Sequence, residues 1–171
     1  MGNLTGKVAV VTGGNSGIGY ATAEKLKVEG AEVFITGRRA QAVKDAAEQL
    51  GVTGLVADQG SPEAIKTLAE TLKSHVSGVD ILFINAGVAF FAPLEANTEE
   101  LFDTTFDINV KGPFFTIQAF LPILNEGASI LNLSSVNATL GMANSSIYAA
   151  SKAALNSLTK VASTELAPKG I

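Results

Sequence analysis

The sequence contains no cysteine. Disulfides and thiolate metal sites are therefore excluded, and a reducing compartment fits. Histidine occurs once, at His75. A metal centre needs several converging ligands, so none is expected. A cation near a helix C-terminus suits the helix dipole, which gives His75 a structural or solvated role. Charged residues make up only 16% of the chain and the net charge is -4. The basic surface that phosphate backbones need is lacking, so nucleic acid is not the expected partner. No apolar run is long enough to span a bilayer, and Met1 to Lys7 has no apolar signal region, so no membrane partner and a cytoplasmic location are expected.

What the chain does have is apolar material, 47% of its 171 residues. That is enough for a sizeable core and suits one domain, residues 1–171. Short β-branched runs alternate with longer helical stretches. Val8 to Val11 is continuously apolar, as in a strand covered on both faces. The pattern then predicts a helix from Gly17 to Glu29, a strand from Val33 to Ile35, a helix from Arg39 to Leu50 and a weaker strand from Thr53 to Ala57. Ser61-Pro62-Glu63 carries a capping side chain, a proline at the first helical position and an acid for the dipole. This helix is expected to run to His75. A strand from Ile81 to Ile84, one long helix from Thr98 to Leu124, a strand from Ser129 to Leu133 and a last helix from Ser145 or Ser146 to Ala167 follow. The order predicts an α/β fold: a doubly wound, Rossmann-type parallel sheet with helices on both faces. The rhythm also predicts a further strand just where the sequence stops at Gly170-Ile171.

Thr12-Gly13-Gly14-Asn15-Ser16-Gly17-Ile18-Gly19 joins the first strand to the first helix. Glycines let the backbone approach an anion, and the following helix N-terminus offers free N–H groups. A pyrophosphate suits this place, although the spacing is not G-x-G-x-x-G and a tight turn without ligand is the competing reading. The second strand runs into Arg38 and Arg39, where an NAD site would place an acid. Guanidinium groups bind phosphate bidentately, so NADP(H) is expected in preference to NAD(H). The bland alternative is a solvated surface pair.

Tyr148 and Lys152 lie four apart on the last helix, hence on one face. A neighbouring ammonium stabilises a phenolate, which suits a tyrosine to acid–base work. Taken alone, the pair is better described as an amphipathic helix surface. It is accompanied, however, by Ser135 after the fifth strand and by Asn85-Ala86-Gly87 after the fourth. Ligands of open α/β sheets bind at these carboxyl ends, so the glycine loop, Asn85, Ser135 and Tyr148 are expected to share one crevice. Asn109 lies four residues before Pro113, which has no N–H for the Asn109 carbonyl. A kink there, leaving that carbonyl free for water, is predicted; a merely structural kink is the alternative. Phe90-Phe91 follows the Asn-Ala-Gly turn and either lines the substrate pocket or packs onto the core.

Together these residues resemble the short-chain dehydrogenase/reductases. The matching motifs are the glycine loop, Asp58, Asn85-Ala86-Gly87, Asn109, Ser135 and Tyr148-Ala149-Ala150-Ser151-Lys152, with the serine 13 residues before the tyrosine. The resemblance implies a hydride transfer between nicotinamide and a small carbonyl or alcohol substrate. It implies Tyr148 as general acid/base and Ser135 as the donor to the substrate oxygen. Lys152 is implied on the nicotinamide ribose, Asn109 on a relay water, Asp58 at the adenine and Asn85-Ala86-Gly87 under the cofactor. Gly13, Asn15, Ser16, Gly17, Ile18 and Gly19 are implied at the pyrophosphate, and Gly37-Arg38 resembles the NADP-preferring branch. Bacterial-type ketone and alcohol dehydrogenases of broad range are the nearest in character. The alanine-rich last helix and the long helix before it imply a homodimer or homotetramer.

The family typically continues beyond this length with a sixth strand, a Pro-Gly segment, a mobile substrate loop and a final strand. A truncated chain is therefore expected, and a dinucleotide-binding fragment without turnover is the alternative function. A methyltransferase or nucleotide-binding regulator of similar architecture would have no use for Ser135, Tyr148 and Lys152 together.

Overall fold

A computed structural model describes residues 2–171. Five parallel strands form one sheet: β1 (Val8–Val11), β2 (Glu32–Gly37), β3 (Thr53–Val56), β4 (Val79–Ile84) and β5 (Leu124–Asn132), in the order β3-β2-β1-β4-β5. The helices are α1 (Gly17–Val28), α2 (Ala40–Leu50), α3 (Pro62–Lys73), α4 (Glu99–Phe106), α5 (Gly112–Phe120) and α6 (Ser146–Leu166).

The continuous apolar run of β1 has the expected cause. Val10 belongs to a core with Phe34, Leu68, Leu72, Leu82, Ile117, Phe120 and Leu166, under α3, α5 and α6. Its neighbours Ala9 and Val11 belong to a second core with Ala23, Val33, Ile35, Ala46 and Leu50, under α1 and α2. Successive side chains point to opposite faces, so a strand covered twice has no polar positions to spare. The caps read from sequence are present: Ser61 Oγ accepts from the Ala64 N–H at 3.2 Å, with Pro62 at the first helical position. Thr98 Oγ1 likewise accepts from the Leu101 N–H at 3.2 Å.

Two expectations are corrected. The stretch from Thr98 to Leu124 is not one helix: a π-helical turn, Asp107–Lys111, separates α4 from α5, and a short 3-10 turn, Leu121–Ile123, follows. Pro113 cannot donate to the Asn109 carbonyl, and the Gly112 N–H bonds back to the Asp107 carbonyl instead. The extra residue is absorbed as a π turn, so the helical path is widened where a kink was expected. The fifth strand begins at Leu124, before Ser129, because Val79 pairs with Leu124 and the next pairing, after an irregularity, is Ile81 with Ser129. Residues 125–128 bulge out of the ladder, which hid the strand's polar start from any periodicity.

After β3 the chain crosses back over the sheet to β4, so its two halves meet between β1 and β4. This is the topological switch point, where the loops leaving neighbouring strands diverge and open a crevice.

Candidate active site

A cleft of about 610 Å³ lies at the carboxyl ends of β1 to β4. Gly13, Asn15, Ser16 and Ile18 after β1, Arg38 and Arg39 after β2, Asp58 after β3, and Asn85, Ala86 and Gly87 after β4 all line it. The glycine loop meets α1 at Gly17, whose φ of +55° is left-handed and places no atom within 4 Å of a would-be Cβ. Gly19 is needed for the opposite reason: a Cβ there would collide with the Gly13 carbonyl and the Asn85 amide. Ser16 precedes α1 in an extended conformation and makes no side-chain capping bond. The first-turn amides of α1 therefore keep their capacity for an anion.

Asn85 is the strut beneath this loop. Its Nδ2 donates to the Thr12 carbonyl at 2.9 Å and the Gly13 carbonyl at 3.1 Å. Thr12, fully buried, answers through Oγ1, which accepts from the Asn85 N–H at 3.1 Å and the Ala86 N–H at 3.0 Å. Four bonds thus lock the ends of β1 and β4 together. Thr12 was quoted from sequence only as part of the loop; a hydroxyl at the last position before the glycines was the available signal. Arg38 and Arg39 are exposed on the rim, and Arg39 precedes α2, again without a side-chain cap. Asp58 is exposed beside them, its Oδ1 accepting from the Gly60 N–H at 2.9 Å.

Asn109, Ser135, Tyr148 and Lys152 do not line this cleft, so the structure does not gather Ser135 and Tyr148 into it as expected. Asn109 sits buried in the π turn and clamps the chain after β4. Its Oδ1 accepts from the Val88 N–H at 2.9 Å, and its Nδ2 donates to the Val88 carbonyl at 2.8 Å and to Ser151 Oγ at 3.1 Å. Ser151 Oγ in turn donates to the Tyr148 carbonyl at 2.7 Å. One side chain therefore ties the cleft wall to the turn of α6 that carries the tyrosine. Ser151 enters the sequence reading only inside the Tyr148–Lys152 motif and Val88 not at all, since nothing local marks a tertiary partner.

Lys152 is buried, its Nζ donating to the Leu133 carbonyl at 2.7 Å and lying 5.9 Å from the centre of the Tyr148 ring. A Cβ built on Gly87 would stand 3.5 Å from the same Nζ, so the ammonium abuts the cleft wall. Loss of water by burial pushes the Lys152 pKa below the ordinary lysine range. Ser135 follows β5 and caps a short 3-10 turn, Val136–Ala138, its Oγ accepting from the Asn137 N–H at 3.2 Å. That turn packs against α6.

The arrangement offers an anion-binding loop, two cations, and a phenol with a buried ammonium beside it. Among the described residues no helix is long and apolar enough to cross a membrane. The family model described as short chain dehydrogenase matches residues 7–171. The oxidoreductase asL5 of Sarocladium schorii is 40% identical over 98% of this chain and 69% of its own length. Human dehydrogenase/reductase SDR family member 4 is 40% identical over 98% of this chain and 63% of its own. A crystal structure of a short chain dehydrogenase from Burkholderia cenocepacia in complex with NADP superposes with a TM-score of 0.91 at 36% identity, covering 98% of this chain and 71% of that one. The chain, which spans between 63% and 71% of these three proteins, belongs to the short-chain dehydrogenase family of oxidoreductases.

Proposed function

We propose that this chain transfers a hydride between NADP(H) and a ketone, aldehyde or secondary alcohol, with Tyr148 as general acid/base. The observation that carries the reading is the Tyr148–Lys152 pair, 5.9 Å from ammonium to ring centre, beside a cleft whose wall is Gly87. The cleft suits a dinucleotide. Gly17 leaves backbone open at an uncapped helix start, Gly19 lets that helix approach the Gly13 carbonyl, and a 2′-phosphate would find Arg38 and Arg39 rather than an acid. When bound, the nicotinamide supplies or takes up the hydride.

The chain's own residues do the rest. Gly13, Asn15, Ser16, Gly17, Ile18 and Gly19 hold the pyrophosphate, Asp58 the adenine, and Asn85, Ala86 and Gly87 the floor beneath. Ser135 donates a hydrogen bond to the substrate oxygen. In reduction Tyr148 would give its phenolic proton to the substrate's carbonyl oxygen, and in oxidation its phenolate would take the proton of the alcohol. Oxidation of an alcohol runs the same steps backwards. Lys152 holds the ribose, and its charge favours the phenolate left behind. Asn109 serves the proton relay and positions the tyrosine's turn through Ser151. Exposed Phe102, Phe114 and Val161 on α4, α5 and α6 support assembly as a homodimer or homotetramer. We place the protein in the cytosol.

The test is a fluorescence titration with NADPH and NADH, with carbonyl turnover followed in the same cuvette, for the native chain and Tyr148→Phe. The expected outcome is tighter NADPH binding and measurable turnover. Tyr148→Phe should lower turnover by at least about a hundredfold while NADPH binding stays within about twofold. Retained turnover in that variant refutes the acid/base role. Binding without turnover in the native chain reduces it to a dinucleotide-binding module.

A further inference from the structure

Two loops lie near Tyr148 in the chain or in space. The first leaves β4 and carries Phe90 and Phe91; the second runs from Val136 to Ser145, just before α6. They are stitched together. The Ala92 N–H donates to the Asn144 carbonyl at 2.9 Å. Asn97 Nδ2 donates to the Pro93 carbonyl at 2.9 Å and reaches Ser146 Oγ at 3.4 Å. Asn144 takes a left-handed φ of +63°, the one positive φ among the described residues other than glycine. Such a conformation is held by its surroundings.

These stitched loops present apolar side chains. Phe91 is 61% exposed and Val136 60%, with Leu140 and Met142 also exposed. The Phe91 ring stands edge-on to Tyr148, centroids 5.8 Å apart at 62°. Neither residues 86–94 nor residues 133–151 contain an Asp, Glu, Lys or Arg. The nearest cation, Lys152, is already buried against the Leu133 carbonyl. A carboxylate or phosphate on the substrate would therefore find no counter-charge on either loop, and its desolvation there would be uncompensated.

From this geometry we propose that the substrate is an uncharged carbonyl or alcohol with an apolar, ring-sized body, and that Phe91 is a specificity-determining residue. The inference rests on the hydride-transfer reading and names its substrate class. The oxygen of the substrate lies at Tyr148, and its apolar body lies along Phe91 and the side chains of the second loop. An aromatic wall next to the reacting group selects by area and shape, as small pockets generally do.

The experiment compares acetophenone with acetoacetate, a carbonyl compound that carries a charge, in NADPH-dependent reduction. The native chain should favour acetophenone by roughly a hundredfold in kcat/KM, and Phe91→Asn should erase about tenfold of that ratio through KM. Phe91→Leu, which keeps an apolar side chain, should retain most of the preference. NADPH affinity within about twofold of native in both variants shows that the fold and cofactor site persist. An unchanged ratio in Phe91→Asn, or a native preference for acetoacetate, overturns the proposal. Saturation-transfer NMR with acetophenone and NADPH separates the two readings. Acetophenone contact that is lost in Phe91→Asn, without turnover of any carbonyl, upholds the apolar site and sinks hydride transfer. No contact with the native chain sinks the apolar site, as when a second copy or another segment covers Phe91.

Discussion

Arg38 and Arg39, exposed on the rim of the cleft, are the residues to which we assign the discrimination between NADP(H) and NAD(H). The difference between those ligands is one phosphate, and only a cation or an acid at the end of β2 can read it. Arg38→Asp removes a planar donor and adds a repelling charge. NADPH binding should weaken by about 2 kcal/mol or more, the scale of a hydrogen bond to a charged group, while NADH changes far less. Equal losses for both nucleotides, measured by fluorescence titration, would refute the 2′-phosphate role. Lys152 shows the opposite use of a cation. Burial draws its charge out of water, which lowers its pKa, while the Leu133 carbonyl accepts from the ammonium, 5.9 Å from the centre of the Tyr148 ring. A guanidinium has no such compact form, so arginine is a poor replacement there.

At the scale of elements, the π turn Asp107–Lys111 is the feature with the longest reach. It places Asn109 so that one carboxamide satisfies both polar groups of Val88 and still bonds Ser151. Asn109→Ala should destabilise the protein by about 1–3 kcal/mol, the cost of leaving buried donors and acceptors unmatched. Urea unfolding measures this, and a loss below about 0.5 kcal/mol would show that the clamp contributes little. Asn109→Asp is the sharper variant, because a carboxylate still accepts from the Val88 N–H but no longer donates to its carbonyl. Turnover should fall more than NADPH affinity in both, since the tether ends at the turn bearing Tyr148 and not at the glycine loop.

At the scale of the whole molecule, the sheet is tied at its two ends by different means. The carboxyl end is joined by the Thr12–Asn85 bonds under the cleft. At the amino end, Asp80 of β4 accepts from Lys7 Nζ at 2.9 Å, from the Val8 N–H at 2.9 Å and from Asn125 Nδ2 at 3.1 Å. One carboxylate thus links β1, β4 and the bulge of β5. Burial pushes the Asp80 pKa up, but the Val8 N–H, Lys7 and Asn125 together outweigh it and hold the group below the ordinary carboxylate range. A lowered folded pKa means the unfolded chain takes the proton first. The stabilisation is complete above the ordinary aspartate pKa near ~3.9 and is lost as the pH falls through the lower folded value. Asp80→Asn should therefore show a flatter acid limb of stability against pH in urea unfolding between about pH 5 and pH 2. An acid limb identical to the native one would remove Asp80 from this role.

Local chemistry determined much of this protein before any fold was known. Alternation of apolar runs marked five strands, Ser61-Pro62 and Thr98 marked helix starts, and the glycine loop, Arg38, Arg39, Ser135, Tyr148 and Lys152 are the residues on which the proposed chemistry rests. Each of these signals depends on neighbours within a few residues, which a sequence displays directly. The π turn and the start of β5 were hidden, because both depend on a partner far along the chain: Pro113 set against the ladder of its own helix, and Leu124 set against Val79. Only the tertiary structure decided the strand order β3-β2-β1-β4-β5, which opens the cleft between β1 and β4. It alone brought Thr12 to Asn85, Val88 to Asn109 and Phe91 to Tyr148. Such pairings follow from how whole elements pack, and packing energy is spread over cores that no single stretch of sequence contains.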